Sequence, residues 1–143
     1  MKLKMFSDGG SRGKYDGPAG VGVYIKSVDD NSYEEKLYQY IGIKTNNEAE
    51  YEALIRGLRF LIEVEEKIDV SEVEIRCHLD SLLVVNQMNG VWKVRDKRMR
   101  EKYNFAKNLA DQFKKVEFIH VPREENEIAD MLANKAMDEH ENK

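Results

Sequence analysis

The sequence predicts an α/β fold: a five-stranded mixed sheet with helices on both faces. Three apolar alternations, each typical of a strand, follow one another with only short turns between them before residue 45. Helical and strand periods then alternate to the end of the chain. With 143 residues, 41% hydrophobic and 35% charged, the chain is long enough for one core. We therefore predict a single domain over residues 1–138 and a frayed tail over residues 139–143.

The first three strands are expected to form an antiparallel meander. Strand one covers Lys2 to Asp8, and the glycines of Gly9 to Gly13 then predict a sharp turn. Strand two centres on the alternation from Val21 to Lys26, and Tyr33 to Ile43 give a less regular third strand. Because the links are short, neighbouring strands should run in opposite directions.

The first long helix should follow at once. Glu50, Ala53 and Leu54 fall at helical spacing, and Asn46 or Asn47 is a suitable N-cap. The later elements are, in order, strand four (Val73 to Leu79), a short helix around Val84, a helix from Arg98 to Gln112, strand five (Lys115 to Val121) and a last helix capped by Asn126.

The topology follows from these connections. Strands four and five come after helices, so right-handed crossovers should lay them parallel to strand one, in the order 3-2-1-4-5. Strands one and four are then neighbours. Asp8 and Asp80, at their carboxyl ends, should lie together at the edge where open α/β sheets carry their sites.

Composition and charge indicate where the protein is located and what it could bind. The apolar runs are too short to span a bilayer and the N-terminus lacks a signal-peptide pattern, so we expect a cytoplasmic protein with no membrane contact. We also expect a monomer. The net charge is −4, which argues mildly against nucleic-acid binding. The stretch from Trp92 to Lys102 is nevertheless strongly basic, and it fits either a polyanion site or a solvated helix face.

Four acids from separate elements are the candidate site: Asp8, Glu50, Asp80 and Asp130. Glu50 lies on the apolar stripe of its helix, and Asp130 borders the stripe of the last helix. Each acid alone also fits a cap or a favourable place near a helix N-terminus. Together, without a cationic partner, they indicate a divalent cation, and oxygen ligands favour Mg²⁺ or Mn²⁺ over zinc.

Four stretches in the right order carry a family resemblance. They are Ser7-Asp8-Gly9-Gly10-Ser11-Arg12-Gly13, Thr45-Asn46-Asn47-Glu48-Ala49-Glu50, Leu79-Asp80-Ser81 and Asn126-Glu127-Ile128-Ala129-Asp130. With them the chain resembles type 1 ribonuclease H from about Lys2 to Met137. The family's acidic quartet falls on the same four acids, whereas Glu52 does not match it.

The resemblance implies an enzyme that cuts the RNA strand of RNA/DNA hybrids with two metal ions, Mg²⁺ or Mn²⁺, leaving 5′-phosphate and 3′-hydroxyl ends. The residues that the resemblance assigns to substrate binding are Gly9, Gly10, Ser11, Arg12, Gly13, Thr45, Asn46, Asn47, Ser81, Trp92 and Arg95. Three of these assignments have a purely structural alternative. The glycines could serve only the turn, the two asparagines could cap the helix, and Trp92 could pack in the core.

Several positions depart from the family pattern. Lys14 and its neighbours replace an Asn-containing turn, and Leu82 stands where a Gln is common. The link from Val121 to Asn126 is short and has no His, and the family's basic protrusion is missing. His120 is interpreted as a packed or edge residue. Two alternatives therefore stay open, a non-catalytic nucleic-acid-binding module and a related nuclease that acts on double-stranded RNA.

Overall fold

The computed structural model describes residues 1–142 and confirms the predicted sheet. Strand order is β3-β2-β1-β4-β5; β1, β2 and β3 are antiparallel, whereas β4 runs parallel to β1 and to β5. The strands are β1 (Lys2–Ser11), β2 (Asp16–Ser27), β3 (Glu34–Thr45), β4 (Glu74–Leu79) and β5 (Lys115–His120). The helices are α1 (Asn46–Arg59), α2 (Leu82–Met88), α3 (Lys97–Ala110) and α4 (Glu127–Glu141).

Helices cover both faces of the sheet. The main core lies on one face, where Leu3, Met5 and Ile75 are fully buried with apolar residues of α1 and α3. On the other face, the backbone of α4 lies directly against β2. The approach is so close that a Cβ at Gly22 would overlap the Ala129 carbonyl oxygen. Among the described residues, no helix has both the length and the apolar character that a bilayer span needs.

The prediction that the chain turns at Gly9 is wrong. Strand β1 continues to Ser11, because Gly9 pairs with Val21 and Gly10 with Gly20 in the ladder with β2. The lack of a side chain at Gly9 serves another purpose. A Cβ there would overlap the carbonyl oxygen of Ala49, so this glycine lets β1 pass close to the start of α1.

The predicted cap of α1 is also wrong, since Thr45 and not an asparagine is the N-cap. Thr45 Oγ1 accepts a hydrogen bond from the Glu48 amide at 3.1 Å, and the Glu48 carboxylate accepts one from the Thr45 amide at 3.1 Å. This reciprocal capping box satisfies two amides that the first turn leaves free. Asn46 and Asn47 then become the first two helical residues, and both side chains are exposed.

Residues 139–141 of the predicted tail form the last turn of α4, and their fraying stays a prediction. Two tyrosines of β3 hold this last turn. Tyr38 donates a hydrogen bond to Glu139 at 3.3 Å, and the His140 ring stacks on Tyr40 with centroids 3.6 Å apart. Lys143, the end of the predicted tail, lies outside the described residues.

Strand β3 contains a β-bulge. Ala19 pairs with Gly42 but Gly20 pairs with Tyr40, so Ile41 is an extra residue opposite β2. Gly42 has φ of 86°, a left-handed conformation that glycine adopts at little cost.

Candidate metal centre and cleft

Three of the four predicted acids meet at one edge of the sheet. The parallel register pairs Ser7 with Leu79, so Asp8 and Asp80 follow side by side. Glu50 reaches them from α1, where its Oε1 accepts a hydrogen bond from the Gly9 amide at 3.2 Å. One carboxylate oxygen from each of the three lies within 4.8 Å of the others.

This arrangement fits a divalent cation. Glu50 Oε2 is buried and has no hydrogen-bond partner among residues 1–142. None of the ion pairs found in that part of the chain involves Asp8, Glu50 or Asp80. A purely oxygen donor set of carboxylates is the kind that holds a hard divalent cation.

Burial and mutual repulsion change the acidity of the centre. Burial raises the pKa of Asp8 to about 7, and the neighbouring charges of Asp80 and Asp130 act in the same direction. Burial and the Asp8 charge raise the pKa of Glu50 well above its usual range. The metal-free centre therefore retains protons at pH values where ordinary carboxylates have lost them.

Asp130 stands beside this group of three and lines the same cleft from the first turn of α4. Asn126, at the helix N-cap position, does not cap α4 with its side chain. Its Nδ2 instead donates to the Ser7 carbonyl oxygen at 3.0 Å. The start of α4 is thereby tied to the strand that carries Asp8.

The acids lie in an open cleft of about 750 Å³, referred to below simply as the cleft. The Ser11 amide donates to Asn46 Oδ1 at 2.8 Å, which joins the end of β1 to the start of α1 at the wall of the cleft. The predicted substrate-binding residues that line it are Gly9, Gly10, Ser11, Arg12, Asn46 and Ser81.

Another group of predicted residues lies apart from the cleft. Thr45, Asn47 and Arg95 line a second hollow of about 400 Å³. Its lining carries three basic residues, Lys93, Arg95 and Arg98, and two acidic ones, Glu48 and Asp96, and we call it the basic hollow. Trp92 lines a neighbouring hollow and is 44% exposed, so the core-packing alternative for Trp92 is wrong. Gly13 lines neither the cleft nor the basic hollow, and packs closely against residues 16 and 17 in the turn between β1 and β2.

Three polar residues outside the predicted set of site residues also line the cleft: His120, Arg123 and Asn134. His120 is exposed at the end of β5 and pairs with Leu79, the residue before Asp80. The strand order would have been enough to place it there, because residues at the ends of adjacent parallel strands share an edge. Asn134 could have been found from its spacing, because it lies four residues, about one helical turn, after Asp130 and therefore on the same face of the helix.

Comparison with known proteins agrees with this geometry. A family model described as "Reverse transcriptase-like" matches residues 6–136. The structure matches RNase H1 from the halophilic archaeon Halobacterium salinarum with a TM-score of 0.87 and 37% identity, over 97% of this chain and 99% of that one. This chain belongs to the type 1 ribonuclease H family.

Two other members of the ribonuclease H family are informative. LC11-RNase H1, solved in complex with an RNA/DNA hybrid, matches with a TM-score of 0.84 and 38% identity, over 96% of this chain and 98% of that one. The bifunctional protein Rv2228c of Mycobacterium tuberculosis is 41% identical over 138 residues, which are 96% of this chain. The chain spans only 36% of the length of that relative.

Proposed function

We propose that this chain is a metal-dependent endonuclease that hydrolyses the RNA strand of RNA/DNA hybrids. The observation that carries the proposal is the group of three carboxylates within 4.8 Å, one of which has a buried oxygen with no partner in the described part of the chain. Family membership and the hybrid bound by LC11-RNase H1 support the substrate.

Asp8, Glu50, Asp80 and Asp130 would hold two Mg²⁺ ions, with Mn²⁺ as a substitute. Bound ions of this kind supply an activated water and stabilise the departing oxygen of the phosphodiester. Asp8 interacts with each of the other three acids and would contribute ligands to both ions, and Glu50 would lie on the side of the 2′-hydroxyl. The products would carry 5′-phosphate and 3′-hydroxyl ends.

The two hollows suggest how one chain would hold both strands. In the cleft, the NH₂ group of the Asn46 side chain, whose oxygen accepts the Ser11 amide, is suited to shape and 2′-hydroxyl contacts, which carry no base information. In the basic hollow, Lys93, Arg95 and Arg98 provide the positive charge that would position the DNA phosphates. All of these groups come from a single chain, so we propose that a monomer is sufficient.

The deciding experiment is cleavage of an end-labelled RNA/DNA hybrid, compared with double-stranded RNA and with single strands, in Mg²⁺ or Mn²⁺. We expect metal-dependent cutting of the hybrid that is lost in Asp80→Asn. Cutting of double-stranded RNA at an equal rate would favour the related nuclease, and equal cutting by Asp80→Asn would contradict the proposed centre.

One observation favours a second candidate, a non-catalytic nucleic-acid-binding module. Leu82 is an exposed apolar residue directly after Ser81 at the cleft, and it offers no polar contact to a nucleic acid. A folded wild-type chain that binds the hybrid but cuts no substrate would support that candidate.

A further inference from the structure

Asp130 differs from the other three acids in what holds it. Its carboxylate lies outside the group formed by Asp8, Glu50 and Asp80. Asn134, one helical turn further along α4, contacts it through a side-chain amide. Asn134 Nδ2 donates to Asp130 Oδ1 at 3.3 Å and to the Asp130 carbonyl oxygen at 3.0 Å. The direction of the Asp130 carboxylate therefore depends on which end of the Asn134 amide faces it.

Arg12 fixes that end of the amide. Its Nη2 donates to Asn134 Oδ1 at 3.1 Å. A guanidinium group has donors and no acceptor, so the atom that faces Arg12 must be the amide oxygen, and the NH₂ group is turned toward Asp130. Without Arg12, the Asn134 amide would lose the contact on its oxygen side and would be held only through its NH₂ group by Asp130.

Arg12 is itself held by the last two turns of α4. Its Nη1 lies 2.8 Å from Asp138 Oδ1 and 2.9 Å from Glu141 Oε1. The Arg12 side chain is only 29% exposed, and its charge is balanced by these two carboxylates. A planar fork that contacts an amide and two acids at once is a task for arginine, since lysine is a single flexible point charge.

We infer that Arg12 and Asn134 form a positioning pair that directs the Asp130 carboxylate toward the metal centre. This inference rests on the proposed function and assigns Arg12 a role that differs from the substrate contact implied by its motif. Arg12 acts through Asn134, whose amide contacts the Asp130 carboxylate. Partners that orient metal ligands in this way commonly change metal affinity by about 10- to 100-fold.

The test is Mn²⁺ binding to the intact chain, measured by calorimetry at fixed pH, which needs no catalytic activity. We expect Asn134→Ala to weaken Mn²⁺ binding about tenfold. Arg12→Ala should weaken it to a similar or smaller extent. Asn108→Ala is the matched control, since Asn108 is an exposed asparagine on α3. We expect that control to bind Mn²⁺ as the wild type does.

The double variant distinguishes the pair from two independent structural effects. If Arg12 acts through Asn134, Arg12→Ala combined with Asn134→Ala should bind Mn²⁺ no more weakly than Asn134→Ala alone. If the fold-losses in Mn²⁺ affinity of the two single variants multiply in the double variant, the inference is overturned. Should Arg12→Ala fail to fold, Arg12→Lys retains donors without an acceptor, so it should still favour the Asn134 oxygen on its side and keep most of the wild-type Mn²⁺ affinity.

Other outcomes separate this inference from the proposed function. Unchanged Mn²⁺ affinity in Arg12→Ala, with a raised KM for hybrid, would overturn the inference in favour of a phosphate contact. Wild-type chain that binds no Mn²⁺ would overturn the inference together with the metal centre. The expected losses of affinity in a chain that cuts no hybrid would uphold the inference and refute the proposed function.

Discussion

Glu50 and Glu52 lie two positions apart on α1, yet they face different surroundings. Glu50 points into the acidic group, whereas Glu52 Oε1 accepts a hydrogen bond from Lys102 Nζ at 2.7 Å between α1 and α3. We expect Glu50→Gln to lower the rate of hybrid cleavage by more than about 100-fold, because a ligand is lost. Glu52→Gln is the matched control and should cleave at nearly the wild-type rate. An active Glu50→Gln with an inactive Glu52→Gln would show that the wrong acid has been assigned.

The raised pKa of Asp8 predicts how stability depends on pH in the absence of metal. The folded state holds a proton up to about pH 7, but the unfolded chain loses it near the ordinary value of 3.8. The folded state thus binds more protons between these values, so the free energy of unfolding falls as pH rises from about 4 to about 7. The shift corresponds to at most about 4 kcal/mol. Urea denaturation in EDTA at pH 5 and pH 8 measures this change.

Substitution and metal addition provide the controls for that measurement. Asp8→Asn removes the titrating group, so it should reduce the pH dependence and raise the metal-free Tm at pH 8. Mg²⁺ should stabilise the wild type more at pH 8 than at pH 5, because metal competes with protons for the carboxylates. A wild-type chain that becomes more stable with pH over this window in EDTA would contradict the burial of the acids.

The four acids could be selected from sequence because local rules place them. Helical phase pointed Glu50 inward, and strand order brought Asp8 beside Asp80. The contacts of Asn126 and Arg12 could not be predicted in this way. Asn126 does occupy the N-cap position, but its amide bonds to Ser7 across 119 residues. Arg12 finds its partners 122 to 129 residues away on α4. Such contacts depend on tertiary packing that periodicity does not show.

Among the secondary-structure elements, strand and helix order was predictable and the ends were not. The alternation of apolar residues and the crossover rule fix the sheet order. At Gly9 the local preference for a turn is overcome by pairing with β2. At the start of α1 several good capping residues compete, and Thr45 is chosen because Glu48 can complete a capping box.

The close contact between β2 and α4 is the basis for a prediction on stability. We expect Gly22→Ala to lower the free energy of unfolding by about 3 kcal/mol, because the new methyl group would collide with backbone atoms of α4. Gly10→Ala is the matched control for stability. Its Cβ would meet only Met137 Cε at 3.6 Å, an ordinary contact. Thermal denaturation of both variants measures the difference, and a fully stable Gly22→Ala would show that α4 lies further from the sheet.

On the scale of the whole molecule, charge is unevenly distributed. The chain carries −4 overall, but the basic hollow collects Lys93, Arg95 and Arg98. If DNA phosphates lie there, Arg95→Ala should raise KM for the hybrid a few-fold and make the slope of log affinity against log salt shallower by about 1. Lys67→Ala is the control, since Lys67 is exposed in the loop before β4, at the opposite end of the sheet. An equal change in KM and salt dependence in both variants would indicate a general attraction between the chain and the hybrid, and no specific DNA-binding site in the basic hollow.

The β-bulge at Ile41 bears on self-association. Strand β3 is twelve residues long and lies at an edge of the sheet, where unpaired N–H and C=O groups can template the addition of another chain. The extra residue breaks that row into two shorter runs, and Gly42 changes the direction of the backbone between them. A second copy laid along β3 could satisfy its hydrogen bonds on one side of the bulge only. We therefore expect the irregular edge to disfavour strand-by-strand polymerisation and aggregation.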